Sequence, residues 1–232
     1  MFSLITNCCS WARKVHEPLR SVTLLILGLG NAGKTTIFKG IRKESPFCTT
    51  PTLGFARSKL MLDRFEVTLF DLGGGEKFRT SWRNFYAETH GVVFVVDSTD
   101  VKRTAEAGNV LSEVLKHPKI SGKPVLVLAN KQDKAEALSE SDIVEQISLG
   151  KLANENKSMC RIEPCSGTLD YAEKKLDRTV LRGLRWLLWT IARDYAHLST
   201  RLIQDSTGEK GRGQQPERVE GASLTKKIQR ER

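Results

Sequence analysis

The sequence contains no run of about 20 consecutive apolar residues, so no helix of ordinary membrane-spanning length can be read in it. Cysteine is scarce: Cys8, Cys9, Cys48, Cys160 and Cys165. An odd count, with Cys8 and Cys9 too cramped for an ordinary mutual disulfide, does not read as a secreted framework. His16, His90, His117 and His197 are scattered, and no Cys/His spacing suits zinc. The N-terminus lacks a basic stretch before its apolar part, and Thr6, Asn7 and Ser10 interrupt that part. The reading therefore expects no secretory signal and a reducing compartment. Acidic residues are also short, 27 against 37 Lys and Arg, for a formal charge of +10. Such a surplus suits an anionic partner: a membrane surface, a nucleic acid or a phosphate-rich ligand. No single-strand stacking motif accompanies the charge, so nucleic acid is not the expected partner.

What the chain does have is alternation. Val22–Leu27, Ser58–Leu62, Phe65–Phe70, Val92–Val96, Val125–Ala129 and Met159–Pro164 read as strands. Several are near-continuous Val/Leu/Ile/Phe runs, as strands covered on both faces should be. Helical patterns follow Lys34, span Arg103–Leu115 and Asp142–Asn154, and begin again near Leu176. Arg64, between two strand candidates spaced for a hairpin, predicts one antiparallel pair. The expected fold is α/β, a doubly wound and mostly parallel six-stranded sheet, with ligands at the carboxyl ends of the strands.

The first strand runs into Gly28-Leu29-Gly30-Asn31-Ala32-Gly33-Lys34-Thr35-Thr36, which fits G-x-x-x-x-G-K-[ST]. Such a loop wraps phosphates with its N–H groups and the following helix start. Lys34 is expected to reach the β- and γ-phosphates, and the Thr35 hydroxyl to bind Mg²⁺. Asn130-Lys131-Gln132-Asp133 follows a buried strand, about 95 residues after the loop. The Asp133 carboxylate can accept from the ring N–H and exocyclic amine of guanine, a donor pair adenine lacks. The expected ligand is GTP or GDP.

With these motifs the sequence resembles the ADP-ribosylation factor-like small GTPases over about Val22 to Ala192. Pro51-Thr52-Leu53-Gly54-Phe55 resembles their first switch, which makes Thr52 a second Mg²⁺ hydroxyl. Asp71-Leu72-Gly73-Gly74 resembles the second, with Asp71 holding a magnesium-bound water and the Gly74 N–H sensing the γ-phosphate. Phe55, Phe70 and Phe85 stand where the family keeps an aromatic cluster, which ordinary core packing would also explain. Cys165-Ser166-Gly167 stands where its last loop covers guanine. Met1-Phe2-Ser3-Leu4 with Cys8-Cys9, Asp71-Leu72-Gly73-Gly74-Gly75 and Glu163-Pro164-Cys165-Ser166 resemble the ADP-ribosylation factor-like protein 13 subfamily. That resemblance implies a ciliary location, and exchange activity of the GTP form toward another small GTPase, ADP-ribosylation factor-like protein 3. Its members are described as longer, so a short form or a fragment is expected here. Gly75 replaces the glutamine that orients the attacking water in the wider family, which predicts weak hydrolysis. The alternative is a conventional cycling GTPase that depends on an activating protein.

The ends differ from the middle. Met1, Leu4, Ile5, Cys8, Trp11, Ala12 and Val15 form one helical stripe, with Arg13, Lys14 and Arg20 downstream. Phe2 excludes N-myristoylation, whereas Cys8 and Cys9 are candidate palmitoylation sites beside basic residues. Packing of the stripe against the domain is the alternative. Residues 1–20 are therefore read as a membrane-associating helix and 21–203 as the GTP-binding domain. One prolonged last helix is expected, its stripe running through Leu184, Leu187, Leu188, Ile191, Tyr195, Leu198 and Leu202. The part beyond Ala192 is read as an interaction surface, with packing on its own domain the competing reading. From 204 to 232 the composition predicts a disordered polar tail.

Overall fold

A computed structural model describes residues 19–44, 52–167 and 176–210. The N-terminal stripe with Cys8 and Cys9, Pro51 of the first switch, and residues 211–232 lie outside the described residues.

Six strands form one sheet: β1 (Arg20–Gly28), β2 (Phe55–Leu62), β3 (Phe65–Leu72), β4 (Gly91–Asp97), β5 (Val125–Asn130) and β6 (Cys160–Pro164). Their order is β2-β3-β1-β4-β5-β6. The β2–β3 hairpin is antiparallel and turns at Asp63 and Arg64, while the other neighbours pair in parallel. The pleat explains why the central strands read as unbroken apolar runs. Val22, Leu24 and Ile26 of β1 enter one core, and Leu25 and Leu27 enter the other. At about 2 kcal/mol for each fully buried Leu or Ile, both faces contribute to stability.

The first core is closed by α1 (Lys34–Ile41) and α6 (Arg178–Arg193), through Ile37, Phe38, Val180, Leu184, Leu187 and Ile191. The second is closed by α3 (Val101–Lys116), α4 (Glu140–Gln146), α5 (Leu149–Glu155) and a 3-10 helix over Thr80–Glu88, which follows the one-turn α2 (Glu76–Arg79). Asp100 caps α3, and Ser139 with Asp142 forms a capping box on α4. The expected helix over Asp142–Asn154 is two short ones, because Ser148 adopts a left-handed backbone between them. Gly108 lies where a Cβ would meet Ile147 Cα at 3.1 Å, so glycine lets α3 approach this corner.

The expected single last helix is broken. It stops at Asp194 and resumes as α7 (Tyr195–Lys210), so helix persists past residue 204, where the tail was expected to begin. Leu198, read from sequence as part of an uncovered surface, is 2% exposed and belongs to the first core. The stripe fails as a docking face because polar contacts pull α7 onto the domain. Arg201 Nη1 donates to Ser121 O at 2.8 Å, and its Nη2 donates to Pro118 O. Tyr195 stacks on His90 and donates to Ser21 O at 3.0 Å. Lys123, fully buried, donates to Tyr86 O at 3.1 Å and lies 3.9 Å from Asp205. Burial pulls this ammonium down to about 8. All these groups lie at the amino ends of β1, β4 and β5.

Candidate nucleotide site

The carboxyl ends of the strands hold the motif residues. Between β1 and α1 the loop turns through Asn31 and Gly33, both with positive φ. No side chain caps α1, so the N–H groups of its first turn face a cavity of about 290 Å³. Gly30, Asn31, Gly33, Lys34, Thr35, Thr36, Thr52 and Gly74 line that cavity together with Gly75 and Phe78. Gly28, Leu29 and Ala32 are not part of that lining, and Leu29 and Ala32 are buried. Lys34 is buried and donates to Leu29 O at 2.7 Å. Burial pulls its ammonium down to about 8, against the pull of Asp71, and a phosphate beside it would favour the charged form again.

Thr35, Thr52 and Asp71 meet at one point. Thr35 Oγ1 donates to Asp71 Oδ2 at 2.6 Å and lies 2.9 Å from Thr52 Oγ1, itself 3.3 Å from the same carboxylate oxygen. Asp71 is fully buried, and burial raises its carboxyl above the usual range. Its Oδ1 has no hydrogen-bond partner. An orphaned carboxylate oxygen beside two hydroxyls is a hard-oxygen donor set, and it fits Mg²⁺ with some waters retained.

The switch segments close on the loop. Gly73 N–H donates to Gly54 O at 2.9 Å, joining the two. A Cβ on Gly74 would lie 2.3 Å from Lys34 Nζ and 2.4 Å from Gly28 O, so only glycine permits this approach. Gly75 precedes α2 with an extended backbone, and only the Phe78 ring stands within 4 Å of where its Cβ would be. Glu76 is exposed. Phe55, Phe70 and Phe85 form the expected cluster, with centroids 5.2 to 6.1 Å apart.

On the base side, Asn130 Nδ2 donates to Ala32 O at 2.8 Å, and its Oδ1 accepts from Gly167 N at 2.7 Å. Ser166 Oγ donates to Asp133 Oδ1 at 2.8 Å and holds that carboxyl below its usual range. Cys165 is buried, and its backbone bonds to Ala129 O and from Gln132 N–H stitch the two loops together.

Four participants escaped the sequence reading. Lys131 Nζ is paired with Asp97, and Asp97 sits opposite Asn130 in the β4–β5 register. Its place at the carboxyl end of an apolar run was the available signal. Arg103 Nη1 donates to Gly30 O at 3.2 Å, and Arg79 Nε to Gly74 O at 3.2 Å, while both pair with Glu106. Trp82 Nε1 donates to Gly73 O at 2.9 Å. No local pattern marks these three, since each reaches its partner only through the fold.

Comparisons with known proteins identify the family. The model of the ADP-ribosylation factor family matches residues 8–189. ADP-ribosylation factor-like protein 13B of Chlamydomonas reinhardtii is 35% identical over 202 residues, 87% of this chain and 37% of its own length. The chain thus spans well under half of that relative. ADP-ribosylation factor-like protein 3 of the same organism is 36% identical over 179 residues, 77% of this chain and 96% of its own. Among solved structures, the Arl6 BBS3 small GTPase from Trypanosoma brucei, with the bound nucleotide analogue GppNp, superposes with a TM-score of 0.64 at 30% identity. That match covers 75% of this chain and 98% of the other. The fold is that of a small GTPase, and the chain belongs to the ADP-ribosylation factor family of GTP-binding switches.

Proposed function

We propose that the chain is a switch that stays loaded with GTP, hydrolyses it weakly and acts through what its GTP form binds. The observation that carries this reading is Gly75, which stands at the rim of the cavity with no side chain to orient water. In the proposed complex Lys34 and the N–H groups at the start of α1 hold the phosphates. Thr35 and Thr52 bind Mg²⁺ directly and Asp71 binds it through water. The ion would neutralise phosphate charge. Asn130, Lys131, Asp133, Cys165 and Ser166 enclose guanine.

Catalysis of phosphoryl transfer is largely positioning and electrostatics. A lost water-orienting group worth about 100-fold corresponds to about 2.7 kcal/mol of barrier. Gly75→Gln is expected to raise single-turnover GTP hydrolysis severalfold, and an unchanged rate would sink the reading. A conventional cycle driven by an activating protein is the second reading. In that reading a partner's side chain supplies the water-orienting group that Gly75 lacks. Rates measured with and without cell extract discriminate the two.

The same reading places the protein at membranes of the cilium through residues 1–20, with acyl chains on Cys8 and Cys9. Cys8→Ser with Cys9→Ser is expected to move it to the soluble fraction, and continued membrane sedimentation would count against acylation. It also makes the GTP form an exchange factor for ADP-ribosylation factor-like protein 3. Release of labelled GDP from that partner, driven by the GTP-loaded but not the GDP-loaded form, tests this. With Leu198 packed inside its own domain, the partner surface is sought on the switches.

A further inference from the structure

Asp177 lies outside every motif and directly precedes α6. Its two carboxylate oxygens have separate partners. Oδ1 accepts from Thr179 N and Thr179 Oγ1, each at 2.8 Å, and so caps the helix. Oδ2 accepts from the Ser166 backbone N–H at 2.9 Å. Ser166 in turn donates its hydroxyl to Asp133 at 2.8 Å. The serine therefore has a carboxylate on its backbone side and another on its side-chain side.

We propose that Asp177 is a positioning residue for the base site: it fixes Ser166, and through Ser166 keeps the Asp133 carboxylate aimed where the base is read. The inference rests on the guanine-nucleotide reading given above.

The element that carries Asp177 is a firm reference. Glu163, 2% exposed on β6, is paired with Arg182 of α6 and lies 2.6 Å from Arg161. Since Glu163 is also two residues ahead of Cys165, α6 is attached to this stretch twice, once through Arg182 and once through Asp177. The neighbouring Gly167 is held from elsewhere, by Asn130. Asp177 is thus where the last long helix meets the base loop, and a shift of α6 would reach the nucleotide through a charge-assisted hydrogen bond.

The test uses the full chain loaded with fluorescent GDP. Asp177→Ser keeps an oxygen that caps α6 but is too short to reach Ser166, whereas Asp177→Ala removes both functions. With Asp177→Ser we expect GDP to dissociate roughly fivefold faster, since only part of the worth of one hydrogen bond to a charged group reaches the base through Ser166. The melting temperature should stay within about 2 °C of the wild type, because the cap survives. The preference for GDP over inosine diphosphate, which lacks the exocyclic amine, should fall about threefold as Asp133 loosens. Asp177→Ala should show the same acceleration with a lower melting temperature. Release from Asp177→Ser at the wild-type rate overturns the proposal. So does faster release with the base preference intact and the melting temperature lowered, which would mark a structural role alone. A wild-type chain that takes up no labelled GDP defeats the site reading instead.

Discussion

The Asn130 side chain joins the end of β5 to the carbonyl of Ala32, 98 positions earlier, at 2.8 Å. The other end of the same amide accepts from Gly167. One side chain therefore registers the phosphate loop, the base motif and the last loop against one another. Asn130→Ala removes two buried hydrogen bonds at about 1 kcal/mol each, so release of fluorescent GDP should quicken by roughly 30-fold. A change smaller than about threefold would show that the three loops keep their register without it.

Gly74→Ala tests the closure of the second switch. The added methyl collides with Lys34 Nζ and Gly28 O, both under 2.5 Å away. Affinity for a non-hydrolysable GTP analogue should fall about tenfold, the scale of a local overpacking penalty. GDP binding should hold if Gly74 serves the γ-phosphate alone, and titration with both nucleotides separates the two cases.

His90 predicts acid sensitivity away from the site. Its ring is buried, accepts from Thr23 N at 3.1 Å and stacks on Tyr195. Burial, with a contribution from Lys123, lowers it from 6.5 to about 4. Above pH 6.5 the ring is neutral folded or unfolded, and pH has no leverage through it. Between 6.5 and 4 the unfolded chain takes up a proton that the folded one refuses, so stability falls as pH falls, by about 3 kcal/mol at the lower end. Urea melts across that window should show the slope, and His90→Gln should flatten it.

Leu198 and Ile203 separate packing from exposure on α7. Leu198→Ala should cost about 2–4 kcal/mol in denaturant unfolding, because it opens a cavity in the first core. Ile203, 66% exposed, should tolerate alanine within about 0.5 kcal/mol. Equal losses would mean that α7 does not pack as described.

The inner strands β1, β4 and β5 were legible because buried parallel strands advertise themselves as Val/Leu/Ile runs, and the β2–β3 hairpin because Arg64 stands between two runs spaced for a turn. Phosphate-loop and base-motif residues were legible because backbone geometry and hydrogen-bond chemistry restrict them to a few residue types. The 3-10 helix at Thr80–Glu88 was missed, since only Trp82, Tyr86 and Ala87 of its nine residues are buried, too few for an extended apolar pattern to show. The break at Asp194 was hidden because the apolar stripe continues through it. Just past the break Tyr195 meets His90, a contact between residues far apart in sequence. Arg79 and Arg103 were missed for the same reason: a charged residue carries no local mark of the partner it will find.

The position of α7 gives the molecule two poles with separate uses. Phosphate and base loops occupy the carboxyl pole of the sheet, whereas Arg201, Lys123 and Asp205 fasten α7 across the amino pole. A fluorophore, bead or surface tether attached just after the helix would hold the molecule by its back and leave the switch face open to solvent. Immobilised that way, the protein should load nucleotide at the rate it does free in solution.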